Sequence, residues 1–164
     1  MLTALAERPT LPTFPAWLDA LLEVPPDVTT DWPLLATPVP TGFPAPADDR
    51  VERHLSLDEH LIHNPGSTFL MRVQGDDWWE QGIHHGDLLV VDRAIPPSTG
   101  SWVVAVLEGE FALRRVGRNA QGRRVLQSAC PEVPDRLLSG QPDCQIWGVV
   151  RWAIHRLWPG RLSS

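Results

Sequence analysis

Short apolar segments alternate with polar, glycine-rich and proline-rich breaks along residues 47–157. Turn signals such as Pro96-Pro97 and Ser139-Gly140 separate the segments. One helical turn is predicted over residues 58–65, where Asn64-Pro65 ends it. Segments of this length and spacing favour a mainly β fold, a compact and mostly antiparallel domain. The predicted strands cover residues 51–57, 68–73, 87–92, 101–107, 110–116, 123–127 and 145–154.

The first 46 residues have a different pattern, because ten of the 17 prolines lie there. Proline removes a backbone donor and restricts the residue before it, which excludes a long helix or a central strand. One short helix is predicted over residues 15–22, with Pro15 in its first turn. The sequence therefore predicts a proline-rich N-terminal arm over residues 1–46 and a β domain over residues 47–164.

Composition narrows the class of protein. Hydrophobic content is 43% and charged content 21%, as expected of a globular chain. The formal net charge of −6 argues against direct nucleic-acid binding, since a sequence-independent DNA binder needs a basic footprint. The start of the chain lacks a signal-peptide pattern, and no apolar run reaches the length of a membrane span. We expect a cytoplasmic protein with no membrane contact, and Cys130 and Cys144 as reduced thiols.

The chain contains no lysine, and all 14 basic residues are arginine. Codon bias in a GC-rich genome is one explanation, and loss of a specific lysine is another. The chemical consequence is the same in both cases, because arginine stays protonated at any working pH. A neutral amine base is therefore absent from every side chain of this protein.

Several short motifs follow one another along the chain: Thr41-Gly42-Phe43-Pro44, Gly75-Asp76, Gly82-Ile83, Gly86-Asp87-Leu88-Leu89-Val90-Val91-Asp92, Gly109-Glu110-Phe111 and Gly148-Val149-Val150. In this order they resemble the self-cleaving LexA/UmuD serine peptidases, and UmuD in particular. The match runs from about Thr41 to the last predicted strand, with a cleavage-like junction at Thr41-Gly42. About 40 proline-rich residues do not suffice for the DNA-binding helical domain of a LexA-type repressor, which favours the UmuD branch.

The resemblance places the family's catalytic serine at Asp77 and its catalytic lysine at Arg114. In the Ser-Lys mechanism the hydroxyl attacks a carbonyl, and a neutral lysine removes its proton. Asp77 has no hydroxyl, and the pKa of arginine exceeds about 12. We therefore expect no catalytic residue, only degenerate dyad positions, and a protein that is a pseudo-peptidase rather than an enzyme.

The resemblance also implies a biological role. UmuD-like proteins form homodimers and regulate a Y-family translesion polymerase of the UmuC type, and a RecA filament triggers removal of their arm. The expected function is that of a non-cleavable regulatory or accessory subunit in the DNA-damage (SOS) response. Two alternatives remain open: a substrate cut in trans at Thr41-Gly42 by an active paralogue, and a repurposed hydrolase using an Asp/Glu/His site.

Three local features allow more than one interpretation. Asp77 and Arg114 either form a charge-assisted pair or both face solvent. Trp78 and Trp79 either contact a partner or divide between core and rim. Arg114-Arg115 and Arg123-Arg124 either make a small basic patch or point to solvent on alternate strand positions.

The polar stretch from Asp76 to Asp87 contains further carboxylates and two histidines, which are metal ligands in other proteins. It lacks HExxH or a comparable spacing. We therefore expect no metal site and no cofactor.

Overall fold

The computed structural model describes residues 31–138, 140 and 142–158. Within that part the chain is mainly β, as predicted. The strands are β1 (Asp31–Leu35), β2 (Val51–Ser56), β3 (Thr68–Arg72), β4 (Leu88–Asp92), β5 (Trp102–Leu107), β6 (Glu110–Arg118), β7 (Arg124–Gln127), β8 (Arg136–Leu137) and β9 (Cys144–Ile154). The α-helix described is α1 (Leu57–Leu61), and single 3-10 turns cover Pro65–Ser67 and Trp79–Gln81.

Seven strands form one sheet in the order β3-β4-β9-β5-β6-β7-β8, and β1 and β2 form a separate two-stranded sheet. Every neighbouring pair of the large sheet is antiparallel. The last strand in sequence, β9, lies inside the sheet, where it pairs with β4 on one side and β5 on the other. The predicted compact, mostly antiparallel domain is therefore confirmed.

Neighbouring residues of β5 point to opposite faces of the large sheet. Buried side chains lie on both faces. Val103 and Ala105 belong to one buried cluster, and Val104 belongs to the other. The buried members of the first cluster are Val103, Ala105, Val116, Leu126, Cys144 and Val149. Those of the second are Ile83, Leu89, Val91 and Val104, with Trp78 and Trp102 packed against them.

Strand β9 is irregular at two points, one in its pairing with β4 and one in its pairing with β5. Gly148 pairs with Val104 while Ile146 pairs with Ala105, so Trp147 is an extra residue in that ladder. A β-bulge of this kind bends its strand and increases the local twist. Gly148 follows the bulge, and a Cβ atom there would lie 2.6 Å from a methyl carbon of Val91. Glycine at this position is therefore required for close packing of β9 on β4.

Hydrogen bonds fix the entry into the large sheet. The Ser56 hydroxyl accepts from the backbone N–H of Glu59 and caps α1. The Asp92 carboxylate, fully buried at the end of β4, accepts from the Asn64 amide at 2.7 Å and the Ser67 hydroxyl at 2.9 Å. It also accepts from the backbone N–H of Ala94 at 2.8 Å. One buried carboxylate thus joins the segment before β3 to the end of β4.

The structure adds two strands and a division into two compact units to the sequence predictions. Two strands were not predicted: β1, which contains Pro33, and the two-residue β8. The predicted helix over residues 15–22 lies outside the described residues. The division between two compact units falls after His54, while the boundary at residues 46 and 47 stays a prediction. Among the described residues, no helix is long and apolar enough to cross a membrane.

Candidate functional site: the loop between β3 and β4 and the strand β6

The loop from Val73 to Asp87 carries most of the polar residues singled out in the sequence. Two backbone bonds close its base: Val73 N–H donates to the Asp87 carbonyl, and Gly86 N–H donates to the Val73 carbonyl, each at 2.9 Å. Its middle is cross-linked by His85, whose backbone N–H donates to the Asp76 carboxylate at 2.8 Å. The His85 Nδ1 in turn accepts from the Gly75 N–H at 3.0 Å. The loop is therefore held in one shape around Asp77.

Asp77 and Arg114 lie on different elements that meet at this loop. Asp77 is exposed, and its Oδ2 lies beside the Cα of Gly75, 3.3 Å from where a Cβ would stand. Gly75 has a φ of 96°, a conformation that favours glycine. Arg114 lies on β6 opposite Val103 and is half-buried. The structure thus brings the loop that carries Asp77 against the strand that carries Arg114, while the assignment of these two residues to dyad positions stays a prediction.

The two side chains interact electrostatically. Burial lowers the pKa of Arg114, and the negative charge of Asp77 opposes this by raising it. The net direction is downward, which means that desolvation outweighs the attraction. Arginine remains a cation even so, because its pKa starts above any working pH. The charge of Asp77 therefore partly offsets the cost of burying Arg114.

Of the two arrangements expected for Asp77 and Arg114, the direct pair is not formed, since these two described side chains are not within 4.0 Å of each other. Ion pairs within 4.0 Å in the described part of the chain are Arg50–Asp48, Arg136–Glu108 and His155–Asp87. Arg114 instead donates from a terminal nitrogen to the carbonyl of its neighbour Leu113 at 2.9 Å. The physical reason is that this backbone acceptor is adjacent, while Asp77 stays in solvent, where its own hydration is retained.

Trp78 and Trp79 have different environments. Trp78 is half-buried against the second core cluster and meets Trp102 edge to face at 4.7 Å. Its indole N–H donates to the Leu113 carbonyl at 3.2 Å. Trp79 is 59% exposed. Of the two, Trp79 has the side chain available to a partner, and that contact stays a prediction.

The cleavage-like junction lies between β1 and β2. Ala36 N–H donates to the Arg50 carbonyl at 2.9 Å, which closes a long hairpin loop. Thr41 and Gly42 are exposed within that loop, and Phe43 is 95% exposed. The junction is therefore an irregular, solvent-accessible segment, as a peptidase requires of its substrate.

A second polar cluster was not found from the sequence. Asp87 is 2% exposed, and its carboxylate accepts from His84 N–H at 2.8 Å and from His155 Nδ1 at 2.6 Å. The rings of His84 and His155 lie 4.4 Å apart. Sixty-eight positions separate Asp87 from His155, and no local pattern connects them. Across the residues that the structure covers, no group of three or more His, Cys, Asp or Glu side chains is placed to hold a metal ion.

The chain is similar in sequence to one protein family and to several of its members. The model of the Peptidase S24-like family matches residues 33–151. Protein SamA of Salmonella typhimurium is 39% identical over 124 residues, which cover 76% of this chain and 85% of SamA. Protein MucA of Escherichia coli is 34% identical over 117 residues, or 71% of this chain and 79% of MucA. The LexA repressor of Shewanella woodyi is 39% identical over 77 residues, or 47% of this chain and 37% of that repressor.

Proposed function

Because the chain belongs to the Peptidase S24-like family, we propose that it is a member that has lost self-cleavage and acts as a regulatory or accessory subunit. The observation that carries the proposal is the pair of residues at the dyad positions, Asp77 and Arg114. No lysine is present elsewhere in the chain to replace the missing base.

The environment of Arg114 supports the loss of chemistry. A burial that lowers the pKa of a lysine would free its amine to act as a base. The same burial lowers the pKa of Arg114, yet a guanidinium remains protonated. The opposing charge of Asp77 further favours the cation. A carboxylate attacking an amide would also expel a poor leaving group, so neither residue can perform the family reaction.

The role we propose is in the DNA-damage (SOS) response and translesion synthesis. Its support is the UmuD-like order of motifs along the chain and the matches to SamA and MucA over more than two-thirds of each relative. The protein would act as a homodimer that binds a Y-family polymerase of the UmuC type and retains its arm when a RecA filament is present. A RecA signal that cleaves active relatives would then leave this subunit unchanged.

Co-purification with a UmuC-type polymerase from the same genome tests the accessory role. The tagged chain is expected to retain the polymerase, and Trp79→Ala is expected to weaken retention, because Trp79 offers an exposed aromatic surface next to the degenerate site. Trp158→Ala is the matched control, since Trp158 is 66% exposed at the other end of the described chain. Absence of any complex with the unmodified chain would refute this partner.

A second candidate function rests on the exposure of the junction. Thr41 and Gly42 are solvent-accessible in an irregular loop, so an active paralogue in a mixed dimer would find a cleavable segment. Co-expression with such a paralogue and activated RecA should then release a fragment that begins at Gly42. An intact chain beside a fully processed paralogue would eliminate this alternative.

A further inference from the structure

Positive charge is concentrated in one hairpin of this acidic protein. Residues 111–131 contain five arginines and no acidic residue, although the formal net charge of the chain is −6. Three of the arginines, Arg118, Arg123 and Arg124, belong to the turn end of the β6–β7 hairpin, which we call the arginine tip (residues 118–124). The chain therefore has a local basic surface although its net charge is negative.

The arginine tip contains a like-charged pair. Arg118 and Arg124 lie directly opposite each other in the antiparallel ladder. Like charges at such positions destabilise a sheet, because their Cβ atoms are only about 5 Å apart. The ion pairs of the described residues include neither arginine, nor Arg123. Among the residues that the structure describes, no acidic side chain therefore lies within 4.0 Å of a guanidinium of the tip.

Backbone carbonyls orient two of these side chains. Arg118 donates to the Gly122 carbonyl at 2.7 Å, and Arg124 donates to the Pro97 carbonyl at 2.8 Å. A neutral carbonyl satisfies one N–H of each guanidinium but leaves its charge uncompensated, and a guanidinium has five N–H donors. Arg123 is exposed at the turn. The tip thus presents positioned donors that match phosphate oxygens.

The chemistry of the tip distinguishes between two kinds of anionic partner. Protein interfaces are anchored by buried aromatic or apolar side chains. No exposed large hydrophobic residue occurs between Phe111 and Val133 among the described residues. Asn119, Ala120, Gln121 and Gly122 complete the turn. A surface of guanidinium groups without an apolar anchor fits a phosphate backbone better than it fits an acidic protein.

We propose that the arginine tip is a docking surface for the phosphate backbone of nucleic acid. The net charge of −6 argued against nucleic-acid binding by the chain as a whole. Positive charge is nevertheless concentrated at the arginine tip, where Arg118 and Arg124 lie opposite each other. Binding through a few phosphates on an acidic protein is weak, independent of base sequence and sensitive to salt. This surface is separate from Asp77 and does not depend on the proposed loss of cleavage.

Fluorescence anisotropy with labelled duplex and single-stranded oligonucleotides tests the proposal. The logarithm of the affinity should fall linearly with the logarithm of the NaCl concentration between about 50 and 200 mM. For the duplex, the variant Arg118→Gln/Arg123→Gln should make this negative slope shallower by about two, roughly one for each lost phosphate contact. Arg118→Lys/Arg123→Lys should retain it, because lysine keeps the charge.

A matched control removes the same charge elsewhere. Arg53→Gln/Arg156→Gln changes two exposed arginines outside the hairpin and should leave the slope unchanged. Equal losses in this control and in the tip variant would overturn the proposal, as would the absence of binding by the unmodified protein at low salt. Competition by poly-glutamate as effective as by DNA, at equal charge concentration, would assign the tip to an acidic protein instead and would also overturn it.

Discussion

The indole N–H of Trp78 donates a hydrogen bond to the backbone carbonyl of Leu113. The same carbonyl accepts from Arg114, so one acceptor on β6 connects the loop that carries Asp77 to the side chain of Arg114. The bond also fixes the ring of Trp78 edge to face against Trp102. Asp77 and Arg114 are therefore held near each other by their neighbours rather than by a direct contact.

Trp78→Phe should lower the free energy of unfolding. The change keeps an aromatic ring but removes the donor to Leu113, which is expected to cost about 1 kcal/mol, with an added cost for the smaller ring. Urea unfolding followed by circular dichroism measures the difference. Trp79→Phe is the control and should change stability by less than about 0.5 kcal/mol, since that side chain is exposed. Equal effects of both changes would contradict the assigned environments.

Gly148→Ala should destabilise the packing of β9 against β4. Its new methyl group would lie 2.6 Å from a Val91 methyl in the core, and such overpacking costs about 1–3 kcal/mol. Gly66→Ala, where no atom lies within 4 Å of the added Cβ, should be tolerated. Thermal unfolding of the two variants side by side checks this, and a Gly148→Ala protein as stable as the Gly66→Ala protein would show that β9 does not approach β4 as described.

Acid should remove a contribution to stability that comes from Asp92. Burial acts to raise the pKa of this carboxyl, but hydrogen bonds from Asn64, the Ala94 N–H and Ser67 together lower it below the ordinary value of 3.8. A pKa lowered by folding means that the carboxylate stabilises the fold at pH above 3.8. That contribution is lost as the pH falls through the lower, folded-state pKa.

Asp92→Asn should therefore be less stable than the unmodified protein at pH 7, by about 1.5–3 kcal/mol for the loss of charged hydrogen bonds. The difference should shrink as the pH is lowered below 4, which urea unfolding at several pH values measures. Asp49→Asn alters an exposed carboxylate and is the control. A difference that stays constant across this range would contradict the role of the ionised Asp92.

Restoring the family residues should restore the reaction. In Asp77→Ser/Arg114→Lys, the burial that lowers the pKa of Arg114 should also lower that of the new lysine and supply a neutral amine. The expected result, by mass spectrometry, is a fragment that begins at Gly42. Each single variant should stay intact, because a serine without a base and a lysine without a nucleophile are both inactive. An intact double variant would show that the scaffold no longer presents the junction.

The sequence predicted the strands whose apolar pattern is long enough to detect. Leu88–Asp92 and Cys144–Ile154 are examples, since both are rich in β-branched or aromatic residues. It could not predict β8, which has two residues, or the contact of Asp87 with His155. Through the family resemblance, the sequence predicted that Asp77 and Arg114 share one site. It could not predict their geometry, because the use of the Leu113 carbonyl as the acceptor for Arg114 depends on the folded backbone.

This chain is proposed not to cleave itself. Intact-mass measurement of the 18.3 kDa protein, after incubation at alkaline pH and separately with an activated RecA filament, tests this claim directly. An active relative processed in the same reaction shows that the filament is competent. The expected result is one unchanged mass under both conditions. Appearance of a fragment that begins at Gly42, with the unmodified chain alone, would contradict it.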